Sequence, residues 1–586
     1  MATSELQWTT IDDFSPGIYS APGRRSPIVT GFSGIRPFAP LGSCTDDSYG
    51  CLPGPDGRSL VPGFYLDPND ASRPVFQTAD LSDVDAPTNG PYIINGYGHQ
   101  NYGGLLTHHA VGVLYRQVIS QSMALKLFRK LIPTSSDIMH SLVSGNTNLQ
   151  YAGMTFAFTR MATASPYTAA GQPIVAWGHG ANYLTMGATG VFPNPSLPGT
   201  TASALLGTPG HVIAHQNRLL VLESDATALY QFGAGESIST TAERISFTDP
   251  ANSNVMGTQQ QAFYPENSSG YAAWASLSAS SLFMVKRSGG AVLFEGDFKA
   301  PRVTVLPGVQ PTGDLWTIAA ASPVGVVYGS QYSGLWAWQG GASAVKISRQ
   351  LDDNFWRHNQ TDAREYFDDT NNNGGVIVGP NLQVFNWNDH LFVSGGWIYH
   401  IPTGSWWRLD SPTDSTKQYM WYGIDYGINV TVSSDAFDVP FLIAMHPKAQ
   451  QSGSDFFTGR RYNLGKYASS WLWRSTRIRP PGASPSKSMS LKEVVVVAQR
   501  DASASGTASI QVKTYSADSG SVVNTTSAQT IPTSANAIAL RFLVNVEAES
   551  VAVEVIAANS TDGIPAPIVH EIRLGWQEHN LAKAIV

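Results

Sequence analysis

The amino-acid sequence predicts an all-β protein with an extended N-terminal arm, a divergent β-propeller and a C-terminal β-sandwich. Three observations lead to this fold class. The 586 residues include 55 glycines and 36 prolines, which are the residues that most often form turns. Short packets of strands, each the size of a propeller blade, recur through the middle of the chain. Strongly alternating segments near the C-terminus are typical of a sandwich.

The first packet lies in the stretch His211–Pro250. Alternating apolar residues over 213–223 are typical of a half-buried strand. A turn at Asp225 precedes a second strand that ends at Phe232, and a third strand begins at Ile245. Three short antiparallel strands within about forty residues predict one blade.

Similar packets follow at irregular spacing. Each combines three strands with Gly or Asn-Asp turns, and they begin near Tyr271, Trp316, Val376 and Tyr419. Eleven of the 15 tryptophans lie from Trp316 to Trp473, where large rings would pack one blade against the next. Sandwiches do not repeat in packets of this size, so a propeller is the better interpretation, with the number of blades left open.

The sequence divides into three predicted domains. Residues 1–90 form the extended arm, 91–479 the propeller with loop insertions such as 178–207, and 480–586 the sandwich. A Pro/Ser-rich linker over 479–488 marks the second boundary, and five alternating segments follow it, including the strand EVVVVAQ. Residues 111–131 fit either a helix or two strands, because their apolar residues match both periods.

Composition excludes some classes of function. A net charge of −7 argues against a duplex-binding protein, which needs a basic patch, but allows a channel through which DNA slides. The first residues lack the pattern of a secretory signal, and no apolar run reaches the roughly 20 residues of a membrane span. Cys44 and Cys51 allow a disulfide, a metal site with unidentified partners, or two thiols.

Motifs that would carry catalysis are missing from the sequence. No phosphate-binding loop, HExxH or GxSxG motif is present, so we predict no enzyme activity, no catalytic residue and no cofactor. A weak calcium candidate places Asp369, Asn371 and Asn373 at alternate positions before a glycine. The twelfth position of that loop is Pro380 instead of a carboxylate, so a polar turn is the favoured alternative.

Other polar and aromatic residues have structural interpretations. Arg218 and Asp249 would form a charge-assisted bond between strands. Trp406 and Trp407 would either stack on sugar rings or pack in the core, and core packing is favoured because they lie within strand patterns. Basic residues near the second boundary are expected to meet carboxylates of a neighbouring molecule: Arg474, Arg477 and Arg479.

Several stretches resemble the β-propeller proteins of bacteriophage tails, the nozzle or hub and minor tail protein group. The likeness is in WTTIDDFSPGIYS (8–20), in SYGCLPGPDGRSLVPG (48–63), and in an Asn-Arg-Leu strand followed by a Ser-x-x-Asp-Pro turn within 215–253. The C-terminal segments WLWRSTRIRPP, LKEVVVVAQ and VHEIRLGW also resemble the sandwich that closes such chains. The insertion at 178–207 departs from the pattern.

This resemblance implies a structural component of the virion, located in the tail and assembled in the host cytoplasm. It implies a homo-oligomer, a six-fold ring if the likeness to nozzle proteins holds, that contacts other tail or head-to-tail proteins. Viral DNA would pass through the lumen without sequence-specific binding. The alternative is a tail-tip protein that binds host glycans, and a glycan hydrolase is a third hypothesis.

Overall fold

The computed structural model describes a set of segments distributed along the whole chain. The described residues are 6–18, 45–66, 74–76, 92–102, 105–115, 123–132, 140–141, 149–151, 160–162, 174–179, 182–187, 209–215, 218–223, 228–232, 243–246, 271–278, 280–286, 290–296, 302–309, 318–330, 334–351, 384–393, 397–409, 421–425, 430–432, 435–437, 441–447, 457–482, 487–516, 521–533, 536–547 and 550–580.

The described residues form 43 β-strands and no helix, so the prediction of an all-β protein is confirmed for them. In the same segments the structure contains no helix of the length and apolarity that a membrane crossing needs.

Six short strands come first in the chain. They are β1 (Gln7–Ile11), β2 (Thr45–Tyr49), β3 (Cys51–Pro53), β4 (Leu60–Pro62), β5 (Phe64–Leu66) and β6 (Pro74–Phe76). Apart from the β3–β4 hairpin, each pairs with a strand that lies beyond residue 456 in the sequence. The region predicted as an arm therefore contributes strands to sheets of the C-terminal part of the chain.

Two sheets follow. The first contains β7 (Tyr92–Tyr102), β8 (Leu105–Tyr115), β9 (Met123–Ile132), β10 (His140–Ser141) and β11 (Leu149–Tyr151); the second contains β12 (Arg160–Ala162), β13 (Ile174–His179) and β14 (Asn182–Gly187). The ambiguous residues 111–131 thus contribute to two strands, and the helical alternative is wrong for the part described. The start of the predicted insertion at 178–207 is also a strand, because β14 forms a hairpin with β13.

The stretch that predicted one blade forms a four-stranded antiparallel sheet. Its strands are β15 (Pro209–His215), β16 (Arg218–Glu223), β17 (Ala228–Phe232) and β18 (Glu243–Ser246), paired in chain order. The prediction of three strands was wrong in one respect. The alternating run over 213–223 divides into two paired strands, with His215 opposite Arg218.

The next three packets each form a four-stranded sheet of the same topology. Their strands are β19 (Tyr271–Ser278), β20 (Ser281–Lys286), β21 (Ala291–Glu295) and β22 (Arg302–Leu306); β23 (Ile318–Ser322), β24 (Gly325–Ser330), β25 (Gly334–Trp338) and β26 (Val345–Lys346); and β27 (Val384–Trp387), β28 (His390–Val393), β29 (Trp397–His400) and β30 (Ser405–Arg408). Asn388, in the Asn-Asp turn between β27 and β28, has a φ of 47°, as tight hairpin turns require.

Alternation along β24 explains how these sheets pack. Val326 and Tyr328 point into a cluster with Phe283 of the preceding sheet, whereas Val327 points into a cluster with Leu391 of the following sheet. Period-two alternation therefore lets one sheet bury both of its faces against its neighbours. The first strands of successive sheets are also in contact, since β15 contacts β19, β19 contacts β23, and β23 contacts β27.

The packet predicted near Tyr419 is less regular than the others. Its strands are β31 (Trp421–Asp425), β32 (Val430–Val432), β33 (Asp435–Phe437), β34 (Phe441–Pro447) and β35 (Phe457–Tyr467). β32 and β33 form a separate hairpin, whereas β31, β34 and β35 form a sheet that β5 and β6 complete at its edge.

The last eight strands are β36 (Ser470–Ser475), β37 (Lys487–Gln499), β38 (Ala508–Ser516), β39 (Val522–Thr525), β40 (Gln529–Ile531), β41 (Ile538–Glu547), β42 (Val551–Asn559) and β43 (Ile568–Asn580). All five alternating segments predicted after the linker are strands. One six-stranded sheet has the order β3-β4-β43-β37-β41, with β1 also on β43, and the other has β2-β36-β42-β38-β39, with β40 also on β38.

These two sheets enclose one core, and we call them the two-sheet unit. Strict alternation on β41 buries Leu540, Phe542 and Val544, which join Val512 and Val555 of the other sheet in a single cluster. β2 and β36 belong to this unit although both precede residue 480, so its sheets cross both predicted domain boundaries.

We expect β1 to stabilise the two-sheet unit. Ile11 is 3% exposed and joins the core, whereas its neighbour Thr10 is exposed on the opposite side of the strand. Ile11→Ala should lower the free energy of unfolding by about 2–5 kcal/mol, and Thr10→Ala by less than about 0.5 kcal/mol. Equal midpoints for the two variants in chemical denaturation would show that β1 is not part of the folded core.

Candidate functional site

Residues 11–18 lie between β30 and the two-sheet unit, and we call this place the junction. Three parts of the chain meet there: the N-terminal segment 11–18, the Trp-rich strand β30, and the strands β2 and β36 of the two-sheet unit. Two of the residues singled out in the sequence, Trp406 and Trp407, lie at its centre.

Trp406 and Trp407 point to opposite faces of β30 and have no exposed surface. Trp406 packs with Val327 and Leu391 between two sheets, whereas Trp407 belongs to the core of the two-sheet unit. The Trp406 Nε1 donates to the Ile347 carbonyl at 2.9 Å, and the Trp407 Nε1 donates to the Ser405 Oγ at 2.8 Å. Neither ring has an exposed face on which a sugar could stack, and both rings pack in the core.

Main-chain hydrogen bonds hold the N-terminal segment against β30. The Ile18 N–H donates to the Trp406 carbonyl at 2.8 Å, and the Thr45 N–H donates to the Gly17 carbonyl at 2.9 Å. Gly17 has a φ of +63°, and a Cβ there would lie 2.6 Å from the Ser405 Cβ. Only glycine fits this close approach, so the junction requires this residue.

Aromatic contacts join the same segment to the two-sheet unit. Phe14 is fully buried and meets Trp473 edge to face, with ring centroids 5.5 Å apart. The Trp473 Nε1 donates to the Thr45 Oγ1 at 2.7 Å. Arg408 of β30 lies over the Trp397 ring at 4.8 Å and over the Tyr49 ring at 5.8 Å, which connects β30 to β2.

A chain of polar side chains runs beneath the turn between β29 and β30. His400 Nδ1 lies 2.8 Å from Thr403 Oγ1, which lies 2.6 Å from Ser405 Oγ, the acceptor for the Trp407 indole. His400 is 3% exposed. Burial lowers the pKa of His400 to about 4, while the Asp389 carboxylate has a weaker effect in the opposite direction. The imidazole is therefore neutral at pH 7.

Basic residues near residue 480 have partners within the chain. Arg474 Nη1 lies 3.8 Å from Glu554 Oε2, and the Arg477 Nε donates to the Ser550 Oγ at 2.5 Å. Burial, and then Glu554, raise the pKa of Tyr515 to about 12, and the Tyr515 hydroxyl donates to Glu554 at 2.8 Å. Glu554 of β42 and Ser550, the residue before β42, therefore supply partners for Arg474 and Arg477 within the chain. Arg479 is exposed.

Most of the other predicted site residues lie outside the described structure. Arg218 begins β16, but its side chain lies outside the described part, as do Asp249 and the calcium candidates Asp369, Asn371 and Asn373. Cys51 is buried with its Sγ 3.4 Å from the Leu472 carbonyl, and Cys44 is not among the described residues. Within the described segments no group of three or more His, Cys, Asp or Glu side chains could hold a metal ion.

The residues that build the junction had only weak signals in the sequence. The Ser-Pro-Gly stretch at 15–17 indicated a turn, but nothing local indicated that Gly17 touches Ser405. His400 is a lone histidine in a strand, which is most often a core residue. Only the long-range pairing of β2 with β36, and of Ile18 with Trp406, brings these side chains together.

No protein-family model and no curated protein sequence matches the chain. Among solved structures, the Trypanosoma rangeli sialidase in complex with the inhibitor DANA is 6% identical, with 88% of this chain and 97% of that chain covered and a TM-score of 0.30. YCF48 from Cyanidioschyzon merolae is 8% identical, with 64% and 99% covered and a TM-score of 0.29. The β-propeller domain of Cps50 (Swd1) from Myceliophteria thermophila is 10% identical, with 42% and 84% covered and a TM-score of 0.23. Likenesses this distant carry no argument about this chain.

The junction can be tested with two glycines that share a backbone conformation. Gly17 and Gly482 have φ values of +63° and +67°, but a Cβ at Gly482 would meet nothing within 4 Å. Alanine at either position should cost about 1–2 kcal/mol of backbone strain. Gly17→Ala should cost about 1–3 kcal/mol more, because its methyl group overlaps Ser405 and the Trp406 carbonyl. Unfolding free energies that match within error would contradict the close approach.

His400 should make stability depend on pH. Its folded-state pKa lies below the unfolded value of 6.5, so the unfolded chain binds the proton first as the pH falls. The contribution of the neutral imidazole to the free energy of unfolding is fully present above pH 6.5. It falls by at most about 3 kcal/mol as the pH is lowered toward 4. His400→Asn should remove this slope, whereas His570→Asn, at a half-buried position on β43, should keep it. Denaturant unfolding across this pH range would measure both, and parallel profiles for wild type and His400→Asn would contradict the assignment.

Proposed function

We propose that this chain is a structural protein of a bacteriophage tail, in which a β-propeller is fixed rigidly to a two-sheet unit. Copies of the chain assemble into a ring that surrounds part of the DNA ejection channel. The proposal rests on the tail-protein resemblance of the sequence stretches, together with one structural observation. That observation is the junction, where the stretch WTTIDDFSPGIYS is used to join two parts of the molecule.

The junction favours a scaffold because it restricts motion between the two parts that it joins. Main-chain bonds at Ile18 and Thr45, the Phe14–Trp473 contact and the burial of Trp407 act together. A rigid connection of this kind suits a subunit that must keep its shape while DNA and neighbouring proteins exert force on it.

The propeller itself is supported by the order of contacts between sheets. The first strands of four successive sheets contact one another, and β7 contacts both β12 and β31. The last contact joins an early sheet to a late one, as closure of a ring of sheets requires. We therefore propose that the sheets from β7 to β35 form a closed propeller.

Charge is consistent with a channel protein. Two of the buried carboxylates, Glu493 and Glu554, have basic partners within the chain at 2.8 and 3.1 Å. The chain carries 43 acidic and 36 basic residues, so its net charge is −7. A mildly acidic lumen would repel the DNA backbone weakly and let it slide without adhering.

The ring can be tested by light scattering coupled to size-exclusion chromatography, followed by electron microscopy of the same fractions. The expected result is a discrete homo-oligomer, with six copies if the likeness to nozzle proteins holds, and a central hole in projection. In a second condition, the isolated chain is incubated with tail components from a phage that encodes it. Monomers without rings in both conditions would contradict the proposed function.

A further inference from the structure

One face of the sheet that contains β1, β43, β37 and β41 points away from the core, and we call it the outer face. Residues directly opposite each other on paired strands point to the same side, so the register arranges the outer face in rows. The first row is Trp8, Gly575, Glu493 and Leu543, and the second is Thr10, Arg573, Val495 and Arg541.

The first row carries an exposed apolar side chain at each end. Trp8 is 43% exposed and Leu543 is 80% exposed. Between them, the two central residues of the row project little above the sheet, because Glu493 is 3% exposed and Gly575 has no side chain. The Trp8 ring covers Gly575, where a Cβ would lie 3.2 Å from the ring atoms Cζ3 and Cη2. Glycine at 575 therefore lets Trp8 lie over the sheet.

The two rows contain two ion pairs. Arg541 Nη2 donates to both carboxylate oxygens of Glu493, at 2.9 and 2.8 Å. Arg573 donates to both oxygens of Glu571, at 2.7 and 2.6 Å. These bonds neutralise the four charged side chains Glu493, Arg541, Glu571 and Arg573, so the two rows can approach those of a second copy with little charge repulsion.

We propose that the outer face packs against the same face of a second copy of this chain, about a two-fold axis that runs parallel to the strands between β43 and β37. This axis exchanges the two ends of each row. Trp8 then lies over the partner's Leu543, and Leu543 lies over the partner's Trp8. The two central residues of the first row, Gly575 and Glu493, face the same two residues of the partner in exchanged order.

The same axis also keeps the arginines of the second row apart. Arg541 faces the partner's Thr10, and Arg573 faces the partner's Val495, so no like charges are opposed. An axis across the strands that runs along the first row would instead place Glu493 against the partner's Glu493 and Trp8 against the partner's Trp8. The axis parallel to the strands therefore makes the outer face complementary to itself, as a two-fold interface requires. Tryptophan and arginine are also the residues that contribute most often to such contacts.

This pairing is separate from the proposed ring. A two-fold contact closes after two copies, whereas a ring needs a head-to-tail contact between different surfaces. The dimer can thus exist in the absence of rings, or join two rings, and the two proposals fail independently.

Sedimentation velocity of the full chain over a wide concentration series tests the pairing. Leu543→Asp should weaken dimerisation at least about thirtyfold, because a carboxylate replaces a side chain that meets tryptophan. Val345→Asp adds the same charge at an exposed apolar residue away from the outer face, 53% exposed on β26, and should leave the dimer unchanged. Thermal unfolding followed by circular dichroism shows whether each variant is folded.

A charge exchange identifies the residues that face each other. Trp8→Arg alone should also weaken the dimer, but Trp8→Arg combined with Leu543→Asp should restore it to within about tenfold of wild type, because two reciprocal ion pairs replace the two Trp–Leu contacts. Failure of the double variant to recover overturns the inference, as does a Leu543→Asp dimer as strong as wild type. A wild-type chain without dimers, in solution or between rings, also overturns it, and rings in that sample would leave the proposed function intact.

Discussion

The packing of residues 11–18 between β30 and the two-sheet unit is the constraint on which the described structure depends. A segment of eight residues supplies Ile11 and Phe14 to one core and Ile18 to another. Its backbone approaches β30 so closely that Gly17 has no room for a side chain. Without this segment, the sheet β27–β30 and the two-sheet unit would share a much smaller apolar surface. The rings of Trp406 and Trp407 would then be less buried.

Neighbouring tryptophans make the constraint cooperative. Since successive strand residues point to opposite faces, Trp406 and Trp407 place one ring in each of two cores from a single strand. A shift of β30 by one residue would exchange the two rings and separate the Trp406 indole N–H from its acceptor, the Ile347 carbonyl. Register is therefore fixed by packing on both sides of the strand, in addition to the hydrogen bonds of the sheet. The buried His400–Thr403–Ser405 chain adds a polar requirement at the same place.

Local pattern was sufficient for much of the fold but for little of the candidate site. Alternation located β37, β38, β41, β42 and β43, because each strand has one core face and the period of two is visible in the residues themselves. It failed at the tight turn between His215 and Arg218, because the alternation of apolar residues continues there from one strand into the next. Partners could not be predicted at all when the contact joins distant segments. The sequence contains Phe14 and Trp473, or Arg474 and Glu554, but not their distance, and a Trp in a strand pattern is compatible with either a buried or an exposed ring.

The pairing of β1 with β43 has a consequence for synthesis of the protein. Thr9 and Trp576, which share a hydrogen bond, are separated by 567 residues. At about 5–20 residues per second, a ribosome needs roughly 30–110 seconds to make the chain between them. During that time Trp8 and Ile11 have left the ribosome without the strand that they pair with. The newly made N-terminal segment therefore cannot complete its sheet until translation reaches the C-terminal strands.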